Sequence, residues 1–313
     1  MTESAACATL SLSIAAVERD TGLSKDTLRV WERRYGFPAP ERDRGGERAY
    51  PLDQVERLRL VKRLLDLGHR PGRVVALAVD DLQRLVEASG AEATPVAPMT
   101  PSCAAAVDEG LACVRQHDLV GLRRVLARDL ARLGLPSFVL ERAVPLTRAI
   151  GDAWLRGQMQ VFEEHACTEV LQSVLRSALA TLPPAEPLAG PRVLLATLTG
   201  EPHALALHLA EALLATDGAV CVSLGPQTPV WDLAQAADAY RADIVVLAFS
   251  GITGVAQVVD ALTALREQLP TPVELWAGGQ ALLLQRRPVA GVQALPSLAS
   301  LLPALADWRA RHR

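Results

Sequence analysis

Arg192-Val193-Leu194-Leu195-Ala196-Thr197-Leu198-Thr199-Gly200-Glu201-Pro202-His203 is the stretch on which the fold turns. Its apolar first half, Arg192 to Thr197, reads as a buried strand. Leu205 to Leu214 reads as the helix that follows, so Thr199 to His203 is the loop between them. A histidine on a loop leaving the carboxyl end of a strand stands where open α/β sheets bind ligands. A neutral imidazole with a carboxylate two residues before it, Glu201, also suits a metal ion.

The pattern repeats downstream. Ala219 to Leu224, Ile244 to Phe249, Val273 to Ala277 and Val292 to Leu295 read as further strands. Trp231 to Arg241, Gly254 to Gln268, a segment near Leu282 and Leu298 to Arg311 read as helices. Alternating βα units of this length imply a doubly wound, parallel, Rossmann-like α/β sheet. The strand-end loops Thr199 to His203, Ser250-Gly251 and Gly278-Gly279 are small, and their glycines let a flat ligand approach the backbone.

Upstream, Pro183-Pro184-Ala185-Glu186-Pro187 is a linker, and the region before it is helical. One helix runs Ala104 to Arg115. Asp118 caps a second that continues to Leu133. A third runs from about Phe138 to Trp154, kinked by Pro145, and a fourth from Val161 to about Thr181. Four helices of this length imply a small bundle. Within it stand Ile150-Gly151-Asp152-Ala153-Trp154 and, after nine residues, Glu164-His165. Thr94 to Ser102, rich in proline, is a second linker.

The first residues, to about position 10, read as an unstructured leader. Ser13 to Arg19 reads as a helix, Thr21-Gly22-Leu23 as a turn, and Ser24 as the cap of a helix from Lys25 to Tyr35. Two short helices joined by a glycine turn make a helix-turn-helix. Arg29 and Arg33 share a face of the second helix, with Arg34 beside them. Glu41 to Tyr50 reads as a wing with a Gly45-Gly46 tip, carrying Arg44 and Arg48. Asp53 caps a third helix, Gln54 to Leu67, closed by Gly68, and Arg73 to about Ala78 is a further helix.

Trp31-Glu32-Arg33-Arg34-Tyr35-Gly36-Phe37-Pro38, the wing Arg44-Gly45-Gly46-Glu47-Arg48-Ala49-Tyr50 and the Asp53-Val55-Leu58 helix resemble the DNA-binding domain of the MerR family of transcription regulators. That resemblance implies a winged helix-turn-helix that binds double-stranded promoter DNA as a dimer, with Arg29, Arg33, Arg34, Arg44 and Arg48 as contacts. A guanidinium fork suits both phosphates and guanine edges.

The bundle, the Trp154-x9-Glu164-His165 spacing and the Glu201-x-His203 loop before a flavodoxin-like sheet resemble CarH-type light-responsive regulators, which place the same parts in the same order. The resemblance implies adenosylcobalamin between bundle and sheet. His203 would be the axial cobalt ligand, Glu201 its orienting neighbour, and Ser250, Gly278 and Gly279 the border of the nucleotide tail. Trp154, Phe162, Glu164 and His165 would line the upper face. It also implies a homo-oligomer, dimer or tetramer, whose assembly and DNA affinity change with light. Three positions depart from the family pattern: Ala206 stands where a glycine is usual, Leu155 where light-responsive members can carry a second histidine, and Phe162 where a small residue is common. A bilin such as biliverdin in the same groove, or a ligand-independent regulator, are the other readings the residues allow.

Composition agrees with this layout. The 313 residues divide as 1–88 for the DNA-binding domain, 89–103 for a linker, 104–182 for the bundle and 183–313 for the α/β domain. Half the residues are hydrophobic and only 4% aromatic, which favours helix-rich packing. A formal net charge of -3 argues against coating of nucleic acid by the whole chain. Five scattered cysteines without CxxC spacing imply reduced thiols in a cytoplasmic protein. No apolar stretch suggests a membrane span. Glu163-Glu164 beside His165 lacks the nucleophile or metal set an enzyme needs, so none is expected.

Overall fold

The computed structural model describes residues 11–43, 45–66, 69–91, 100–155, 158–183, 190–250, 255–279, 284 and 287–312. The leader, Arg44, Gly68, Gly251, the helix expected near Leu282, most of both linkers and the Leu155 side chain lie outside the described residues. The chain forms two compact units, Met1–Ala93 and Thr94–Arg313.

In the first unit, β1 (Ser11–Ser13) leads into α1 (Ile14–Thr21) and α2 (Lys25–Tyr35). The wing strands β2 (Glu41–Arg42) and β3 (Arg48–Pro51) precede α3 (Leu52–Asp66), α4 (Pro71–Val74) and α5 (Val79–Ala91). Ser24 Oγ accepts from the Thr27 amide and starts α2, as its sequence position suggested. Gly22 ends α1 with φ of 70°, a left-handed angle that a Cβ disfavours. Ser13, expected inside the first helix, is instead its cap, because Leu12 is drawn into a strand opposite Tyr50. Asp53 lies within the first turn of α3 rather than capping it, since Leu52 is already helical. The helix expected at Arg73 to Ala78 is replaced by α4 and the longer α5. Val17, Leu28, Trp31, Tyr50, Leu58 and Leu64 are all buried in this unit. Arg59 donates twice to Asp20 at 2.7 and 2.8 Å and ties α3 to α1.

The second unit opens with α6 (Pro101–Arg115), capped by Thr100, and α7 (Leu119–Leu133), capped by Asp118, which accepts from the Gly121 amide at 2.7 Å. A third rod follows in three parts: α8 (Leu135–Phe138), a π-helical turn Val139–Ala143, and α9 (Val144–Leu155). Proline at 145 has no amide to offer the Glu141 carbonyl one turn back. The chain widens just before it into the π turn, and the Cys103 thiol and Arg142 guanidinium donate to that carbonyl instead. The expected kink is therefore a local widening. The last bundle helix is α10 (Val161–Leu179), in which Glu163 Oε2 accepts from the Gln160 amide at 2.7 Å.

The sheet contains β4 (Arg192–Leu198), β5 (Val220–Thr228), β6 (Ile244–Ala248), β7 (Glu274–Gly278) and β8 (Val292–Leu295). All pair in parallel, in the order β5-β4-β6-β7-β8. Helices α11 (Leu205–Thr216) and α14 (Leu301–Arg311) cover one face, and α12 (Val230–Ala239) and α13 (Val255–Gln268) the other. Alternation sends Val193 and Leu195 to the first face and Leu194 and Ala196 to the second. Both faces are covered, so the central strands β4, β6 and β7 carry buried apolar runs, Val193 to Ala196, Ile244 to Ala248 and Leu275 to Ala277. The first face shares a single core with the bundle, running from Leu122 and Leu175 through Leu209 to Trp276. Bundle and sheet are thus packed parts of one unit, although a proline linker separates them in sequence.

Burial has a chemical consequence for the thiols. Cys167, fully buried in α10, has its pKa pushed up to about 12, chiefly by burial, with the Glu164 charge adding to it. Only about one thiol in ten thousand would be thiolate at pH 8, and the thiolate is the reactive form. Iodoacetamide at pH 8 is expected to leave Cys167 unlabelled in the native chain and to label it after unfolding in guanidinium. Mass spectrometry showing Cys167 alkylated natively at the rate of a free thiol would contradict this burial.

Candidate functional site

The strand order reverses between β4 and β6, and the crevice outside their carboxyl ends is where a doubly wound sheet binds ligands. β4 runs into Glu201-Pro202-His203 and β6 into Ser250, so the crevice carries both. The loop after β4 is fastened from beneath. Thr197, fully buried, donates through Oγ1 to the Glu201 carbonyl and accepts from the Gln227 amide at 2.9 Å.

Glu201 is 1% exposed, and both its carboxylate oxygens are used. Oε1 accepts from the His203 amide at 3.2 Å and pairs with His203 Nδ1 at 2.7 Å. Oε2 accepts from the Ser250 amide at 2.7 Å and from Ser250 Oγ at 2.6 Å. Burial pushes this carboxyl up, but the hydrogen bonds from His203 and Ser250 together outweigh it and bring the pKa below the ordinary carboxylate range. The same hydrogen bond raises the His203 pKa against the opposing effect of burial, with the charges of Glu201 and Glu164 contributing. A carboxylate at Nδ1 fixes that nitrogen as the donor. In the neutral ring the lone pair is then on Nε2.

His203 opens onto a cavity of about 820 Å³. Its floor is apolar, with Leu205, Leu209, Val246 and Leu295. Its polar lining comes from two sides: His203, Ser250 and Ser297 from the sheet side, and Thr147, Arg148, Glu164, Thr168, Glu169 and Gln172 from α9 and α10. Ala206 lies in the wall, so its Cβ takes up space where the family pattern has none.

Of the residues singled out from sequence, Glu164, His203, Ser250, Gly278 and Gly279 line this cavity, and Glu201 sits directly behind His203. The other three lie elsewhere. Trp154 is half-buried against the bundle core. Phe162 is 60% exposed, its ring 5.6 Å from that of His117. His165 is exposed, with Nε2 3.5 Å from Glu164. Helix geometry explains the last two. Successive residues turn by about 100°, so with Glu164 facing inward, His165 and Phe162 are carried to other sides of α10. The same rule marks what the sequence reading passed over: Glu164, Thr168 and Gln172 are four apart and form one polar stripe toward the cavity. Arg148 carries no comparable signal.

Gly279 has a structural reason of its own. Its φ is 101°, and a Cβ there would stand 1.9 Å from the Phe249 carbonyl oxygen. Close backbone approach between the ends of β6 and β7 requires it, whatever the cavity holds.

The donor set is selective. Among the described residues, one histidine, His203, lines the cavity, and no group of three or more His, Cys, Asp or Glu side chains could hold a metal. A single imidazole does not retain a bare zinc-type ion, which needs three or four protein ligands. It does suffice for a metal whose equatorial positions a macrocycle already fills, as haem iron is held.

In the first unit, Arg29, Arg33 and Arg34 are exposed on α2. Among the described residues Arg29 pairs with the exposed Asp26 at 3.2 Å, a contact readily exchanged. Arg48, named from sequence as a contact, is paired with Glu32 at 2.9 Å. Arg44 lies outside the described residues. Asp43 Oδ1 accepts from the Gly45 and Glu47 amides and shapes the wing tip.

Comparison with known proteins follows these divisions. Residues 12–78 match the family described as MerR HTH family regulatory protein, and residues 107–178 match the B12 binding domain. The chain is 31% identical over 261 residues to the HTH-type transcriptional repressor CarH of Myxococcus xanthus, covering 83% of this chain and 86% of that one. It is 30% identical over 266 residues to the repressor CarA of the same organism, covering 84% and 85%. The monomethylamine corrinoid protein of Methanosarcina barkeri shares the fold of the larger unit, with a TM-score of 0.53 at 15% identity, over 64% of this chain and 98% of that one.

Proposed function

The chain belongs to the MerR-type transcription regulators that carry a B12-binding domain, the family of the CarH and CarA repressors, and from that premise we propose that it is a light-responsive DNA switch holding adenosylcobalamin between bundle and sheet. It is a regulator and not an enzyme. The observation that carries the proposal is the Glu201-anchored His203 on the wall of the cavity, with Ser250 fixing Glu201 in turn.

Each residue has a stated task. Glu201 holds the Nδ1 proton, so His203 would offer the Nε2 lone pair to the cobalt. Ser250, Gly278 and Gly279 border the space for the nucleotide tail at the ends of β6 and β7. Glu164, whose Oε1 accepts from Thr168 Oγ1 at 2.9 Å, would supply carboxylate acceptors from α10 for the upper side. When bound, adenosylcobalamin supplies a cobalt–carbon bond that visible light breaks. Side chains of α10 on one wall and of the sheet on the other would hold the cofactor jointly, so a change on its upper side alters what joins bundle to sheet. That difference in contacts biases a two-state equilibrium, read out as a change in subunit assembly and operator affinity. Among the described residues no cysteine lines the cavity, which gives a bilin no thiol there to bond and leaves His203 without a task in that reading.

The test is reconstitution of the wild-type chain and His203→Ala, separately, with adenosylcobalamin and with biliverdin. Gel filtration and absorption spectra follow, in the dark and after green light. Wild type is expected to retain the cobalamin, with spectrum and elution volume both changing on illumination, while His203→Ala loses most of the bound pool. Biliverdin retained equally by both would support the bilin reading. Retention of neither would leave a ligand-independent regulator.

On the DNA side, Arg33→Ala is expected to weaken operator binding by about 1–3 kcal/mol if the side chain reads a base. Fluorescence anisotropy on a promoter duplex measures this, and unchanged affinity would remove Arg33 from the interface.

A further inference from the structure

Glu32 is an acidic residue on the helix expected to enter the groove, next to Arg33 and Arg34. Left unpaired there, it would repel the phosphates. The structure shows it paired: Arg48, on the first residue of β3, donates from Nε to Glu32 Oε2 at 2.9 Å and from Nη2 to Oε1 at 3.4 Å. Both side chains are about 70% buried, with relative exposures of 28% and 30%. The fork-to-fork geometry fixes orientation as well as distance. Two residues on from Arg48, Tyr50 is fully buried and pairs across the sheet with Leu12. The pair therefore joins α2 to the wing at the edge of the unit's core, sixteen residues apart in sequence. The wing tip has its own fastening, with Arg42 donating to the Gly46 carbonyl at 2.7 Å.

We propose that Glu32 and Arg48 are a positioning pair that sets the wing against the recognition helix, and that Arg48 is not itself a phosphate contact. The proposal rests on the DNA-binding reading of this unit. A positioning pair acts only through other residues: Arg29, Arg33 and Arg34 on the helix, and the wing backbone at the tip.

Two roles for Arg48 predict opposite signs for Glu32→Gln, which keeps the shape and removes the charge. A solvated carboxylate near DNA is unfavourable, so removing it should tighten binding. A positioning carboxylate is required, so removing it should weaken binding. The experiment uses the full-length chain and a duplex selected by that chain from a random-sequence pool. Affinity is measured from 50 to 200 mM salt for wild type, Glu32→Gln, Arg48→Gln, Arg48→Lys and the Glu32→Gln/Arg48→Gln double variant, and each variant's melting transition is recorded.

Each glutamine substitution is expected to weaken binding about fivefold to tenfold, with the double variant no weaker than either single one, because residues acting as a unit are not additive. The salt slope should stay at its wild-type value, since no phosphate contact is lost. Arg48→Lys should behave like Arg48→Gln, because an ammonium cannot reproduce the fork. The proposal fails if Glu32→Gln tightens binding or leaves it unchanged. It also fails if Arg48→Gln reduces the salt slope by about one while Arg48→Lys preserves affinity, or if the loss in Glu32→Gln merely tracks unfolding at the assay temperature. Enrichment of no duplex by the wild-type chain would sink the DNA-binding reading itself, a result distinct from all of these.

Discussion

Glu201→Gln is expected to reduce affinity for a corrinoid by about 10–100-fold, the usual cost of removing a partner that orients a metal-bound histidine. It should also cost roughly 2 kcal/mol of stability in the larger unit. The reason is the count of donors. Glu201 accepts from the His203 amide, His203 Nδ1, the Ser250 amide and Ser250 Oγ. A glutamine of the same shape must turn an NH2 toward one of those pairs. One buried amide then faces a donor, and the imidazole loses the carboxylate that fixes its tautomer. Titration of the variant with cobalamin, together with its thermal melt, checks both halves. A variant that melts normally and binds normally would mean that Glu201 has no part in orienting His203.

Gly279→Ala is the larger structural change. The added carbon would stand 1.9 Å from a backbone oxygen at a φ of 101°, and neither the Phe249 carbonyl nor the angle can yield cheaply. Strain and overpacking together suggest a loss of about 3–5 kcal/mol, or a fall of roughly 10 °C in the melting temperature. Gly151→Ala is the control. That glycine lies in α9 with nothing within 4 Å of the added carbon, so the substitution should be neutral or gain up to about 1 kcal/mol. Equal melting temperatures for the two variants would contradict the close approach of β6 and β7.

Much of the larger unit was legible because its chemistry is local. Both faces of the sheet are covered, so β4, β6 and β7 appear as bare apolar runs. Asp118 announces its helix by capping it, as Ser24 does in the smaller unit. The π turn at Val139–Ala143 was not legible. Proline marks the place where a bond is missing, but the accommodation falls upstream and depends on a thiol from α6 and a guanidinium within the turn. The helix α5 was missed in the sequence reading, which placed a helix only over Arg73 to Ala78, because Val79-Asp80-Asp81 gives no Ser or Thr cap to start it.

The site divides in the same way. Glu201, His203 and Ser250 could be named because each stands at a strand end, a position that topology makes functional. Their mutual hydrogen bonds join residues about fifty apart in sequence. The bundle's contribution was harder to read, because a spacing such as Trp154-x9-Glu164-His165 does not say which way a helix is turned. Glu164 faces the cavity, while Phe162 and His165 do not. Arg48 shows another limit: its type and place in a basic wing suggest a contact, and its pairing with Glu32, sixteen residues away, is not visible in the sequence.

The central claim is that His203 binds cobalt through Nε2. Cobalamin in its cobalt(II) state has one unpaired electron directed along the axial bond, so the axial nitrogen splits its electron paramagnetic resonance lines. The measurement is the spectrum of the reconstituted full-length chain prepared with ordinary histidine and with ¹⁵N-histidine. The expected result is a triplet splitting that becomes a doublet on labelling and is lost in His203→Ala. A triplet unchanged by the label would show that the cofactor's own base remains on the cobalt, and would contradict the site described here.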